Sequence, residues 1–233
     1  MSQPSGSCTN VIIVSAPSGT GKTVLCRALM EEVGGLVFSI SCTTRPMRRG
    51  DVDGENYYFT DVARFDEMQQ RGEFLENFPV YGKKYGSPRA FLDLAYSTGK
   101  DLLLDIDVKG AALLRGTIGH TISVFIMPPG FQELEQRLRD RQDLQDDVIR
   151  RRLDFARGEV QGSCDYDYVI VNRTGDGGLQ DAKKRLNSIV RWERARRQGT
   201  DDNAEAAEWR EIAEKCRRTA VAAEIQPILE TFK

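Results

Sequence analysis

Short apolar, β-branched runs alternate along the chain with segments whose apolar residues recur every three or four positions. Residues 11–15, VIIVS, read as a buried strand, and Val24, Leu25, Ala28 and Leu29 within residues 22–32 predict a helix directly after it. LLLDID (102–107), TISVFIM (121–127) and YVIVN (168–172) have the continuous apolar character of strands covered on both faces, as in a parallel sheet. Helical patterns stand between these runs, and that alternation predicts an α/β fold with a parallel central sheet.

Two stretches break the rhythm. Residues 41–96 turn polar and rich in Arg, Tyr and Gly, which suggests an inserted, substrate-facing region. Residues 131–157 carry dense arginines on a helical pattern, with Leu134, Leu138, Val148, Ile149 and Leu153 as a thin apolar face, and read as a mobile cover. Beyond them, residues 179–197 predict a helix, QGTDDN a break, and residues from Ala204 onward a second helix. Trp192, Trp209, Ile212, Ile225 and Leu229 give that last part an apolar face for packing on the domain or on a second subunit.

Composition narrows the partners. The formal net charge is -2, so no global field draws the chain to nucleic acid or an anionic bilayer, and any bound anion must meet locally grouped cations. Five scattered cysteines, Cys8, Cys26, Cys42, Cys164 and Cys216, form no C-x-x-C pair, and His120 is the one histidine. This argues against a zinc site and for a reducing setting; the lone histidine reads as a turn residue. Residues 1–10, MSQPSGSCTN, lack a leader's charged and apolar regions and read as a flexible N-terminus. No apolar run reaches the roughly 18 residues of a membrane span. The expectation is a cytoplasmic protein that binds neither nucleic acid nor membrane, with homo-oligomer formation left open.

Specific chemistry begins at APSGTGKT, residues 16–23. The spacing fits the phosphate-binding loop G-x-x-x-x-G-K-[ST] at every defined position but the first, where Ala16 stands for glycine. Ala16, Pro17, Ser18, Gly19, Thr20, Gly21, Lys22 and Thr23 therefore form the candidate ATP loop. Gly19 and Gly21 let the backbone curl its N–H groups toward an anion, and the following helix adds the positive end of its dipole. Lys22 is placed to reach the β- and γ-phosphates, and the Thr23 hydroxyl to bind Mg²⁺.

A second anion site is suggested by residues 41–59, SCTTRPMRRGDVDGENYYF. Arginine forks make bidentate bonds to phosphate, although a solvated basic loop has the same composition. This stretch closely resembles the acceptor region of guanylate kinases, S-x-T-T-R-x-P-R-x-G-E-x-x-G-x-x-Y-x-F. Proline comes one place early, at Pro46, and Asp51 stands in the glutamate position. Further matches follow in order: EFLE (73–76), YGKKYGS (81–87), LDIDVKG (104–110), RLRDR (137–141), RRL (151–153) and VIVN (169–172). The resemblance spans about residues 10–197 and implies a three-layer P-loop kinase fold with a GMP-binding insertion (41–96) and a helical lid (131–157). Residues 198–233 would be a helical extension.

The resemblance implies that Arg45, Arg48, Tyr57 and Tyr85 hold the GMP phosphate. Ser41, Glu76, Ser87 and Asp107 lie where the family reads guanine. A carboxylate such as Glu76 suits guanine N1–H and the N2 amino group, and Ser87 can donate to O6. Lys22 and Arg45, with Arg137, Arg141 and Arg152 from the lid, would stabilise the transferring phosphoryl group. Asn172 would border the adenine, and Asp105 would meet Mg²⁺ through water. The implied reaction moves the γ-phosphoryl group of ATP to GMP or dGMP. Two rivals share parts of the pattern: a P-loop kinase of a phosphorylated sugar, and a guanylate-kinase-like module that binds protein without catalysis.

Overall fold

The apolar run at the chain start becomes β1 (Val11–Ser15), every residue of which is buried. The computed structural model describes residues 9–48, 50–80, 82–141, 144–175 and 177–233; the expectation for the N-terminus falls mostly outside these. After β1 come α1 (Lys22–Val33), β2 (Leu36–Phe38), β3 (Cys42–Thr43), β4 (Tyr58–Phe59), α2 (Val62–Gln70), β5 (Phe74–Val80), β6 (Lys83–Pro88) and α3 (Ala90–Thr98). Then follow β7 (Asp101–Asp105), α4 (Val108–Leu114), β8 (Thr121–Met127), α5 (Phe131–Arg139), α6 (Asp146–Gln161) and a short 3₁₀ turn (Gly162–Asp165). The described chain closes with β9 (Tyr168–Val171), α7 (Gly178–Gln198), α8 (Ala204–Lys215) and α9 (Ala222–Glu230).

The five-stranded sheet has the order β2-β7-β1-β8-β9. Its β2–β7 and β8–β9 ladders are parallel, with Leu36 opposite Asp101 and Val124 opposite Tyr168. The three longer strand expectations hold to within a residue or two. The run at 102–107 begins one residue early and stops at Asp105, leaving Ile106 and Asp107 in the turn that follows. Strand β2, three residues long, is too short to show a period. His120 lies in a turn with φ 58°, and its carbonyl accepts the Val11 N–H at 3.1 Å.

The chain forms two compact units. One comprises the residues up to Val11 with Gly35–Leu104 and Lys109–Thr121; the other comprises Ile12–Gly34, Asp105–Val108 and Ile122–Lys233.

In the first unit a smaller sheet, β4-β3-β6-β5, has antiparallel β3–β6 and β5–β6 ladders and a parallel β3–β4 pair. Strand alternation gives it two unlike faces. Cys42, Phe65 and Phe74 form an apolar cluster on one of them, with the Phe65 and Phe74 rings stacked at 4.6 Å. A Cβ on Gly86 would lie 2.8 Å from the Phe74 ring, so only glycine fits there without displacement. Tyr85 and Ser87, on either side of Gly86, point the other way.

In the second unit, α1 buries Leu25, Cys26, Ala28 and Leu29, as its spacing predicts. Within residues 131–157 lie α5 and most of α6, and their apolar face is substantial: Leu134, Leu138, Ile149 and Leu153 are buried and Val148 is half-buried. The segment from Ala204 onward is likewise two helices, α8 and α9. Between them Cys216 O accepts the Val169 N–H at 2.9 Å, and the Arg218 N–H donates to Asp167 O at 3.0 Å. The extension thus covers the exposed edge of β9, which would otherwise present unpaired backbone groups.

Candidate active site

The turn from β1 into α1 is built by two glycines in the left-handed region, Gly19 at φ 94° and Gly21 at φ 100°. Gly21 is the N-cap of α1 and offers no side-chain acceptor, so the first amides of the helix are left to an incoming anion. Space is tight on both sides. A Cβ at Gly21 would stand 2.7 Å from Asn172 Nδ2, and one at Gly19 would stand 2.9 Å from Leu138 Cδ2. Ala16 and Pro17 are buried, Ser18 is half-buried, and the Thr20 N–H closes the loop onto Pro17 O at 3.2 Å.

Lys22 follows, with Nζ 2.5 Å from Asp105 Oδ1 and 3.1 Å from Ile106 O. Thr23 is exposed on the first turn of α1. Asn172, just past β9 and only 5% exposed, donates from Nδ2 to Thr20 O at 2.7 Å. Arg137 on α5 donates to Asn172 O at 2.8 Å and to Thr20 O at 3.4 Å, and Arg152 on α6 donates to Ser18 Oγ at 3.0 Å. Three sequence-selected residues, Arg137, Arg152 and Asn172, therefore converge on the loop that carries Lys22. Arg141 is exposed beyond the end of α5, and Asp107 is half-buried in the turn two residues after Asp105. Cys26, behind the loop, is a poor nucleophile: burial, aided by Asp105 and opposed by Lys22, pushes its pKa well up.

The acceptor-type residues gather in the other unit. Arg45 is 9% exposed, and its guanidinium lies 5.3 Å from each of the Tyr57 and Phe59 ring centroids. It donates to Pro46 O and to Asp51 Oδ2, both at 2.8 Å. Burial works against the Arg45 charge, but the bond to Asp51 and the charge of that carboxylate, with smaller contributions from Tyr85 and Tyr57, leave its pKa raised. The same pairing holds the Asp51 carboxyl below the usual carboxylate range, helped by the Arg48 N–H, which donates to Asp51 Oδ2 at 2.7 Å. The Arg48 side chain is exposed. Tyr57 and Tyr85 meet edge to face at 5.8 Å.

Glu76 and Ser87 stand directly opposite each other on β5 and β6, and the Ser87 hydroxyl donates to Glu76 Oε1 at 2.7 Å. Both are buried, at 8% and 0% exposure. Tyr85 lies two positions from Ser87 and so shares its face. Ser41 is half-buried, and its carbonyl accepts the Tyr58 N–H at 3.0 Å. Sequence reasoning placed Asp51 in the glutamate position of the pattern but gave it no role; it orders the Arg45–Arg48 loop. The available signal was an acidic residue three places after Arg48, a spacing suited to closing a turn.

No helix of the described residues is long and apolar enough to cross a membrane. A family model described as guanylate kinase matches residues 8–192. The guanylate kinase of Rhodopseudomonas palustris is 44% identical over 189 residues, covering 81% of this chain and 84% of that protein. That of Chromobacterium violaceum is 41% identical over 222 residues, covering 95% and 99%. Among solved structures, the crystal structure of guanylate kinase from Anaplasma phagocytophilum superposes with a TM-score of 0.66 at 30% identity, covering 92% of this chain and 97% of that one.

Proposed function

The chain belongs to the guanylate kinase family, and from that premise we propose that it transfers the γ-phosphoryl group of ATP to GMP or dGMP, giving ADP and GDP or dGDP, in the cytoplasm. The observation that carries the guanine assignment is the buried Glu76–Ser87 pair at 2.7 Å. A buried carboxylate matches the N1–H and N2 amino group of guanine, and the neighbouring hydroxyl, once its O–H turns from Glu76 to the base, matches O6. Adenine turns an acceptor toward the carboxylate and leaves it unpaired, which is how a site built to hydrogen-bond one base rejects the other.

The donor is held by the loop from Ala16 to Thr23. Its amides and the start of α1 bind phosphate oxygens, and Lys22 places one charge on the β- and γ-phosphates. Arg137 and Arg152 already touch this loop through Thr20 O and Ser18 Oγ. From there their guanidinium groups stabilise charge on the transferring phosphoryl, with Arg141 as a third cation. Asn172 fixes the loop from the β9 side, next to the adenine. Arg45, Arg48, Tyr57 and Tyr85 hold the acceptor phosphate, and Ser41 and Asp107 join Glu76 and Ser87 in reading the acceptor nucleotide. That phosphate is already a nucleophile, so no general base is required, and catalysis rests on positioning and charge stabilisation.

The donor set suits magnesium. Thr23 offers a hydroxyl and Asp105 a carboxylate, hard oxygen ligands for an ion that keeps several waters and takes the rest of its shell from phosphates. No group of three or more Asp, Glu, His or Cys side chains able to hold a metal occurs among the described residues, which fits an ion that arrives with the nucleotide. Magnesium held there would supply positive charge to offset the charge developing on the transferring phosphoryl group. Thr23 would hold it directly and Asp105 through water.

The test is a steady-state comparison of GMP, dGMP, AMP, CMP, UMP and ribose phosphates as acceptors. GMP or dGMP is expected to give the highest kcat/KM. Equal or better use of a phosphorylated sugar or of another base overturns the proposal.

A further inference from the structure

Helix α5, which carries Arg137, starts without a cap of its own. Its N-cap is Gly130, with extended backbone and no side-chain acceptor. The missing acceptor comes from a hundred residues downstream: the Phe131 N–H donates to Thr231 Oγ1 at 3.0 Å, and that hydroxyl donates in turn to Ile228 O at 2.7 Å. Beside it the Phe232 ring, 2% exposed, meets the Phe131 ring edge to face at 5.5 Å.

Helix α6, which carries Arg152, is tied to the same point. Arg157 lies 4.4 Å over the Phe131 ring and donates to Phe232 O at 2.9 Å and also to Lys233 O. Arg157 is five positions after Arg152, about 7–8 Å along a helix, so the grip is close to the loop contact. The strap has a firm origin. Arg217, at the start of the segment that leads to α9, stacks over Tyr168 at 4.2 Å and donates at 3.2 Å to Glu193, a carboxylate only 4% exposed that also accepts from the Tyr168 hydroxyl. Midway, Glu224 on α9 pairs with Arg173 at 2.5 Å, one residue past Asn172.

We propose that the segment from Arg217 to Phe232 is a strap that positions the catalytic arginines: Thr231 and Phe232 fix the roots of α5 and α6 and thereby hold Arg137 and Arg152 against the phosphate loop. The proposal rests on the role given to those arginines above. Thr231, Phe232 and Arg157 touch no reacting atom and act through Phe131 and the two helices. The sequence match to the family model stops at residue 192, so the strap lies outside it.

The test uses the full chain with Thr231→Val, Thr231→Ser and Phe232→Ala, each made in the parent and in Arg137→Ala. Thr231→Val and Phe232→Ala are expected to lower kcat by about three- to tenfold and to raise the KM for ATP, with the KM for GMP within twofold of the parent. Thr231→Ser, which keeps the hydroxyl, restores kcat. In the Arg137→Ala background the strap variants cause less than half of their original fractional loss, because the residue they position is gone. Unchanged kcat in both strap variants, or the same fractional loss in the Arg137→Ala background, overturns the strap while Arg137→Ala itself still lowers kcat. Parental kcat in Arg137→Ala overturns the arginine assignment, and the strap with it.

Discussion

The Lys22 ammonium lies 2.5 Å from Asp105 Oδ1, joining the first residue of α1 to the last residue of β7. The loop's cation is thus held at the carboxyl end of a sheet strand, where open α/β sheets place their ligands. Both side chains are less than one-fifth exposed, so the pair is partly desolvated and poorly screened.

Removing that charge tests the donor half of the mechanism. Lys22→Ala is expected to lower kcat by about 10²–10³-fold, the usual cost of losing one preorganised group that stabilises transition-state charge. Lys22→Arg should recover little, because a planar fork cannot replace a point charge at the end of a slim stem. Steady-state kcat at saturating ATP and GMP is the measurement, and a loss below tenfold for Lys22→Ala contradicts the assignment.

The Arg45–Asp51 pair makes a pH prediction. Asp51 is held below the ordinary carboxylate value by its bond to Arg45, so its contribution to stability is complete above the unfolded pKa and is lost as pH falls through the lower folded one. The Arg45 pKa is raised, so that side chain stays charged throughout this window. A ¹³C titration of the Asp51 carboxyl should therefore give a midpoint below the reference of about 3.9. Asp51→Ala should bring weaker use of GMP, because Arg45 and the Arg48 loop lose their common anchor. A midpoint at or above the reference removes the organising role of Asp51.

How far these features could be read in advance depended on whether they leave a local pattern. The loop at residues 16–23 and the long strands were visible because glycine placement and continuous apolar runs are dictated by neighbours in sequence. The opposition of Glu76 and Ser87 was not, since it depends on the β5–β6 register, and a register shift lies between Phe74 and Glu76. Residues 131–157 looked like a thinly apolar cover, yet Leu134 and Leu138 are 0% exposed, with Leu138 packed against Gly19. Their spacing gave the face but not what covers it. The Thr231–Phe131 cap spans a hundred residues and has no sequence signature at all.

Gly86 offers a stability test that reaches the site. A methyl group there would approach the Phe74 ring to 2.8 Å, and that ring is stacked on Phe65 within a buried cluster with little room to move. Gly86→Ala should cost about 1–3 kcal/mol, the range for overpacking a filled core. Urea unfolding would register this as a lower midpoint. Because Gly86 sits between Tyr85 and Ser87, the KM for GMP should rise while the KM for ATP holds. Parental stability would mean that the small sheet and α2 are less tightly packed than the structure has them.

Base selection turns on which groups Glu76 presents. The carboxylate has two acceptor oxygens, and the Ser87 hydroxyl occupies part of the capacity of Oε1. Glutamine keeps the shape but replaces one acceptor with an NH₂ donor, which must then face either N1–H or the N2 amino group of guanine. One charge-assisted hydrogen bond is lost and a donor confronts a donor, for about 2–4 kcal/mol in all. Adenine gains by the same change, since that NH₂ can donate to its N1. Glu76→Gln is therefore expected to lower the ratio of kcat/KM for GMP to that for AMP by at least about 30-fold, the equivalent of about 2 kcal/mol. Ser87→Ala removes a neutral donor and should cost GMP less, about three- to tenfold. If the GMP-to-AMP ratio in Glu76→Gln matches the parent, the buried carboxylate does not read the base, and its partner Ser87 has to be explained as a strand-pairing contact alone.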